Sequence, residues 1–418
     1  MKIIYIFGAG ASASIDEARV PVMNNFFEKA IDMLDEGIKM AWIAFAVAEE
    51  ARAFPPNLDI ENCGARMGVL GRLMEEIKRS KTIDNSMKDA TSIILEDKLA
   101  QAISDYKARF KKDFNRKSAN IEEVLSNVEL YIEKSSTSAD AYARLQYLMA
   151  GLFNWLDKEL LDNFSRAAHH DLSDYVASSD RFEHTFISFN YDLWLEKALF
   201  QKGVWCPRDG HGSYTFEYYS PPIDRVLPEN GTVILGKPHD MKQFGPFYRK
   251  SRVKVLKPHG SLSWRYGTKK TENVALILEE GENSCVTYNN TWDMPPSKFQ
   301  EKIEMSMVPL IVPPTPNKIR SHLLFWETDR DVFNVLSQAD VVVVVGWSMP
   351  ETDRYIREMV LRAINNRTEQ IKKVFICDKS RMIKTLSPKF EAVFRPREIK
   401  AYDQGFNKGF IDFLKDEF

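Results

Sequence analysis

Four short segments of this chain combine chemically capable residue types with positions directly after apolar runs. They are Gly8-Ala9-Gly10-Ala11-Ser12, Ser188-Phe189-Asn190-Tyr191-Asp192, Lys257-Pro258-His259-Gly260-Ser261 and Gly346-Trp347-Ser348-Met349-Pro350. The first follows the apolar run 1–7 and reads as a strand entering a glycine turn. That is how a doubly wound sheet presents backbone N–H groups to a phosphate. In this reading Gly8 adopts backbone angles closed to other residues, and Gly10 has no Cβ to obstruct a pyrophosphate. Asn190 carries an amide that can orient a water and a hydroxyl together, using both its acceptor and its donors. His259, as a neutral imidazole, can take a proton from either of them near pH 7. Asp192 would hold the loop or bind a sugar hydroxyl.

Each segment also has an ordinary structural explanation. The glycine turn can be a plain strand-to-helix connection. His259 can be a loop histidine satisfied by backbone, and Asn190 with Asp192 can cap the helix pattern that starts at Leu193. Ser348 can be a turn serine, Asp353 a first-turn acid favoured by the helix dipole, and Asp378 a cap for whatever helix follows it. The joint occurrence of all four segments after strands favours chemistry over these readings.

The elements that must position these segments follow from periodicity. Strand patterns occur at 1–7, 184–189, 339–345 and 373–377, with shorter ones at 231–235, 252–256 and 304–312. The run 339–345 (ADVVVVV) is apolar on both faces, as in a parallel sheet covered by helices. Helix patterns occupy 24–52, 67–77, 90–110, 121–132 and 142–164 with no convincing strand between them, then 193–201, 319–336, 351–364 and 406–414. Residues 203–293 read as loops and hairpins. The expected organisation is an α/β sheet domain made of residues 1–21 and 181–418, interrupted by a helical insert at 22–180.

Composition narrows the function classes. With 418 residues, 44% hydrophobic and 28% charged, the chain can bury a large core. No apolar run is long enough to cross a bilayer. With the first strand at Met1, no leader segment is expected. The net charge of −2 supplies no global attraction for nucleic acid or anionic membrane. Two basic clusters, 107–117 and 249–257, read as a solvated helix face and as cationic groups leading towards a pyrophosphate. Cys63, Cys206, Cys285 and Cys377 form no CxxC pair, which excludes a zinc site of paired cysteines and argues against a disulfide framework. A cytoplasmic chain with reduced thiols is the expectation. His169 and His170 point to different faces of a helix, so no metal site is expected.

An ordinary dinucleotide-binding dehydrogenase is disfavoured. Gly8-x-Gly10-x-x-Ala13 passes as a glycine turn, yet Asp32, at a suitable distance for holding a ribose, falls within an amphipathic helix pattern rather than at a strand end. Instead, GAGAS at 8–12, FNYD at 189–192, HGS at 259–261 and the G-x-S-x-P turn at 346–350, with Asp378 beyond it, resemble the sirtuin-like family. They are most similar to the sirtuin-like NAD hydrolases of bacterial antiphage defence. The resemblance implies a doubly wound, mostly parallel Rossmann-like sheet with a large helical insert. It implies Asn190 and His259 as catalytic residues. It further implies that Gly8, Ala9, Gly10, Ala11, Ser12, Pro21, Asp192, Gly346, Ser348 and Asp378 line the cofactor site.

The same resemblance implies cleavage of NAD, as substrate, to nicotinamide and ADP-ribose, in abortive infection. It implies a homo-oligomer or a separate activating chain such as a HerA-type ATPase or an argonaute-like protein. The paired-cysteine zinc module of protein deacylases is absent, which disfavours NAD-dependent deacylation. A non-catalytic module that senses NAD or ADP-ribose is the other alternative.

Overall fold

Residues with both neighbours in a covered sheet must be apolar on alternate sides, and this chain's strand runs are apolar on both. The structure, a computed structural model, describes residues 1–22, 25, 153, 156–157, 159–205, 234–235, 253–267, 276–278, 307–311, 323–351 and 353–418. Apart from Asn25, the helix patterns at 24–52, 67–77, 90–110 and 121–132 lie outside the described residues, as do the first basic cluster and Cys63, Cys206 and Cys285. The chain divides into two compact units. One comprises Met1–Val20, Leu156–Asn289 and Pro309–Phe418; the other comprises Pro21–Trp155 and Asn290–Val308.

The described elements, in chain order, begin with β1 (Lys2–Phe7), α1 (Ala9–Ala13), α2 (Leu161–Ser165), α3 (Ala168–Ser178), β2 (Glu183–Ser188) and α4 (Trp194–Gln201). Next come β3 (Ile234–Leu235), β4 (Val253–Leu256), β5 (Gly260–Gly267), β6 (Leu276–Leu278) and β7 (Met307–Ile311). The series closes with α5 (Leu323–Ser337), β8 (Val341–Val345), α6 (Arg354–Asn365), β9 (Lys373–Cys377), α7 (Ser380–Phe394), β10 (Glu398–Tyr402) and α8 (Lys408–Asp416).

Six strands form the main sheet in the order β10-β9-β8-β1-β2-β4, every neighbouring pair parallel. Renumbered within the sheet this is 3-2-1-4-5-6, the doubly wound order of dinucleotide-binding folds. The α/β, Rossmann-like expectation holds. The smaller sheet runs β3-β6-β5-β7.

Period-2 alternation sorts the core. Ile3, Tyr5, Phe7, Val341, Val343 and Val345 face one side, where α3, α4 and α8 cover them with Leu172, Val176, Leu195, Leu199, Phe410 and Leu414. Ile4, Ile6, Val342 and Val344 face the other, under α5, α6 and α7 with Val332, Leu336, Ile356, Val360 and Phe390. Helices α2 and α3 therefore belong with the sheet, in the unit that begins again at Leu156.

Elements outside the helix and strand patterns read from the sequence include α3 at Ala168–Ser178 and two later ones. α7 fills the span after Asp378, and β10 is a half-exposed edge strand whose EIKAY sequence lacks an apolar run.

Register aligns the strand ends. Phe7 pairs with both Ser188 and Val345, Ile187 with Leu256, and Val345 with Cys377. The residues that follow, Gly8, Phe189, Lys257, Gly346 and Asp378, thus form a row along one carboxyl edge. No described helix is long and apolar enough to cross a membrane.

Candidate functional site at the carboxyl edge of the sheet

The order of strands reverses between β1 and β8, so their connections leave to opposite faces and a crevice opens where they part. Here three glycines meet. A Cβ on Gly8 would lie 2.5 Å from the Gly346 carbonyl oxygen, and one on Gly10 would lie 2.8 Å from Gly346 Cα. Gly346 itself has φ +60, and a Cβ there would lie 2.4 Å from the Ala11 nitrogen. The glycines are required because two backbones cross in contact, which differs from the expectation that Gly10 clears space for a pyrophosphate and that Gly8 takes angles closed to other residues, since Gly8 is extended at φ −120 and ψ −178. Amides of the turn are also engaged within the protein: Gly8 N–H donates to Val345 O (3.0 Å), Gly10 N–H to Gly346 O (3.0 Å) and Ala11 N–H to Gly8 O (2.9 Å). Ala9 is half-buried and Gly10 is exposed beside them.

Asn190 sits two residues past β2, buried, with its amide orientation fixed by its neighbours. Nδ2 donates to the Gly8 carbonyl (2.9 Å) and to Ser12 Oγ (2.8 Å), and Ser12 Oγ donates onward to Asp192 Oδ2 (2.7 Å). A carbonyl only accepts, so the nitrogen must face Gly8. Both amide hydrogens are therefore committed, and Oδ1 is left buried without a hydrogen-bond partner. A buried polar atom in that condition calls for an explanation, and a ligand donor is one. The sequence reading gave Asn190 both donor and acceptor roles towards ligand; the structure leaves it the acceptor role.

Ser12 and Asp192 were expected among the cofactor contacts. The structure makes them the brace behind Asn190: Asp192 also accepts from the Trp194 amide through Oδ1 (3.4 Å). Burial pushes the Asp192 carboxyl up to about 6; the Lys257 charge, the Ser12 hydroxyl and the Trp194 amide draw it down, while Glu196 adds to the rise. Asp192 is thus a near-cap of α4, whose N-cap residue is Leu193.

His259 follows β4. Its Nε2 meets Asp353 Oδ2 at 2.7 Å, both side chains buried. A carboxylate accepts, so the ring hydrogen is on Nε2 and the tautomer is set. Asp353 occupies the N-cap position of α6 yet makes no side-chain cap. Its carboxylate bonds His259, a role beyond the dipole reading. The His259 ring also lies 5.0 Å from the Phe189 ring and 6.3 Å from the Tyr191 ring, the two residues flanking Asn190. Phe189 stacks in turn on Trp347 (4.8 Å, 19°), so the loops after β2, β4 and β8 share one aromatic packing.

Across models of known protein families and curated proteins, nothing matches this chain.

The remaining expected site residues are placed less centrally. Ser348 is exposed; Lys389 Nζ donates to its carbonyl (2.9 Å) and to that of Met349 (2.6 Å), whose φ of +48 is a strained value for a non-glycine residue. Asp378 ends β9 and accepts from the Lys379 amide (2.7 Å), its carboxyl raised mainly by burial. Pro21 is buried and belongs to the other compact unit. Of the second basic cluster, positions 249–252 lie outside the described residues, and Lys257 is enclosed rather than turned to a phosphate.

Asp353 and Glu196 are polar residues at this edge that sequence reasoning did not assign to it, and Lys257, which it placed here, was read as leading towards a pyrophosphate rather than as half of a buried pair. Lys257 and Glu196 are both 0% exposed and paired at 2.5 Å. The available signal was positional: Lys257 precedes the Pro-His-Gly turn, and Glu196 lies four residues past Asp192, one helical turn on. Among the described residues, no group of His, Cys, Asp and Glu is arranged to hold a metal ion.

Proposed function

We propose that this protein is an NAD glycohydrolase, cleaving the bond between nicotinamide and ribose with water as the acceptor. The observations that carry the reading lie on loops at one carboxyl edge of the sheet: a buried amide oxygen with no hydrogen-bond partner, and an imidazole bonded to a carboxylate and packed near the two rings that flank that amide. A doubly wound sheet of this strand order binds nucleotides at that crevice. The motif resemblance of GAGAS, FNYD, HGS and the G-x-S-x-P turn supports the choice of NAD.

The chemistry matches the residue types. Nicotinamide is a cationic substituent and departs neutral, so no strong acid is needed. The demanding steps are supporting the cationic ribose in the transition state and delivering water to one face. Asn190 Oδ1 accepts a hydrogen bond from a ribose hydroxyl or from the attacking water. His259 takes the proton released by that water at Nδ1, the nitrogen turned away from Asp353. Asp353 stabilises the resulting imidazolium and keeps the ring in register. Water and NAD give nicotinamide, ADP-ribose and one proton.

The same resemblance supports an effector role in abortive antiphage defence, with a homo-oligomer or an activating chain of the HerA-type ATPase or argonaute-like kind. The test is incubation of the purified protein with NAD and chromatography for nicotinamide and ADP-ribose, beside His259→Ala. Peptide-independent release of both products, abolished in the variant, is expected. Release that needs an acylated peptide makes the protein a deacylase. Tight NAD binding without nicotinamide release, with candidate activators present, makes it a sensing module.

A further inference from the structure

Lys257 is a fully buried lysine two residues before His259, and its ammonium leaves its own loop altogether. Nζ donates to the backbone carbonyl of Asp192 (2.7 Å) and to Glu196 Oε1 (2.5 Å). Asp192 is two residues past Asn190, and Glu196 lies on the helix that the same loop enters. One side chain therefore ties the end of β4 to the loop after β2. The loops carrying the two proposed catalytic groups are pinned to each other by a charge-assisted bond to backbone, a bond with one geometry. No other cation among the described residues is 0% exposed.

Burying such a pair rarely stabilises a fold beyond what apolar residues of equal volume would do. Its effect here is positional. We infer that Lys257 is a positioning residue that sets the distance between Asn190 and His259, with Glu196 holding the ammonium in line. This rests on the NAD reading for its kinetic consequence, though not for its geometric one. Asp192 joins the device from the other side: its carbonyl takes the lysine, while its carboxylate takes Ser12, which in turn holds the Asn190 amide. A shift of the lysine thus reaches both reactive groups at once.

The test separates geometry from turnover. The chain has 7 histidines, so a spectrum of histidine-labelled protein is sparse, and the His259 resonance is assigned by its loss in His259→Ala. Phe189, with its ring at 5.0 Å, gives that resonance a ring-current shift. Lys257→Met takes the ammonium away from the buried Glu196 carboxylate and is expected to fold poorly. Lys257→Met/Glu196→Gln removes both charges at nearly constant volume and keeps the question open to measurement.

In the double variant the His259 resonance is expected to move, and kcat for NAD cleavage to fall by roughly 10- to 100-fold while KM stays within about threefold, the pattern of misplaced reacting groups. An unmoved resonance overturns the inference whatever the turnover. A moved resonance with kcat within about twofold of the parent overturns it as well. A moved resonance in a protein whose parent does not cleave NAD leaves the latch standing and removes the NAD reading.

Discussion

The two halves of the main sheet carry their charges in opposite ways. Around β9 and β10, Lys373, Lys400, Glu398 and Glu417 form an open network at the surface, with Lys400 Nζ 2.6 Å from Glu417 Oε1 and Lys373 Nζ 2.9 Å from Glu417 Oε2. Around β2 and β4, Lys257, Glu196 and Asp192 are closed away from water, on or beside the loops that carry the proposed catalytic residues. Solvated pairs are worth little because water and salt already screen them. An enclosed pair carries a large desolvation cost, and its attraction only offsets that cost when geometry is good. Fixed atomic positions are therefore concentrated where the charges are enclosed. The β9–β10 side is tacked together by replaceable contacts, whereas the β1–β2–β4 side is built around polar groups that tolerate one arrangement.

The sharpest way to break that contrast is at the amide. Asn190→Ala is expected to lower nicotinamide release by about 10³-fold, within the range for loss of a preorganised hydrogen-bonding group. Full turnover in the variant would reduce the buried network to packing.

Next in size is the seam between the halves. Gly346→Ala drives a Cβ into the Ala11 nitrogen at 2.4 Å and strains a φ of +60. A loss of about 3 kcal/mol in denaturant unfolding is expected from overpacking and backbone strain combined. An unchanged midpoint would mean that the two loops part easily.

Acid acts on the buried titratable groups of the β1–β2 side. His169, on α3 among Phe7, Phe164 and Phe406, is held neutral by burial, its pKa lowered to about 3. Below the ordinary value near 6.5 the unfolded chain takes up a proton that the native state refuses. Stability is therefore lost as pH falls through 6.5 towards 3, by about 2 kcal/mol at pH 5 for this residue. His184, lowered to about 4 by burial, acts in the same direction. Asp192, raised to about 6, acts oppositely: its native carboxyl binds a proton before the unfolded one does, so it adds stability as pH falls from about 6 to 3.8. Two histidines outweigh one aspartate, and net loss in acid is expected. His169→Phe should recover about 2 kcal/mol at pH 5 relative to its own value at pH 7.5. An acid slope equal to the parent's would count against a neutral buried His169.

The smallest effect belongs to the surface network. Lys400→Met and Glu417→Gln are each expected to leave the unfolding midpoint unchanged within error. A clear loss would show that the β9–β10 side is also specified by charge.

Legibility followed the same division. Strands buried on both faces announced themselves: VVVVV at 341–345 and KVFIC at 373–377 were read with ends correct to a residue or two. β10 escaped because an edge strand is half solvated and its sequence alternates charge with small or aromatic residues. At the site, Asn190 and His259 were singled out by residue type. Asp192 was read as holding the loop or binding a sugar hydroxyl, and its bond to Ser12 fits the first; the reading of Ser12 as a ligand contact missed that pairing. The role of Asp353 was hidden because an acid at a helix start has a sufficient local explanation.

What the chain's sequence determined alone was the set of apolar strands and the loops that follow them, since burial on both faces leaves a continuous apolar run that local reading detects. Which loops meet was decided by strand order. Only the adjacency of β8, β1, β2 and β4 turns Asp353 to His259 across 94 positions, and Asn190 to Ser12 across 178. The number of remaining hydrogen-bond sites on Asn190, and the enclosure of Lys257, are properties of that meeting. No local pattern encodes them, because partners so far apart in the chain are brought together only by the sheet.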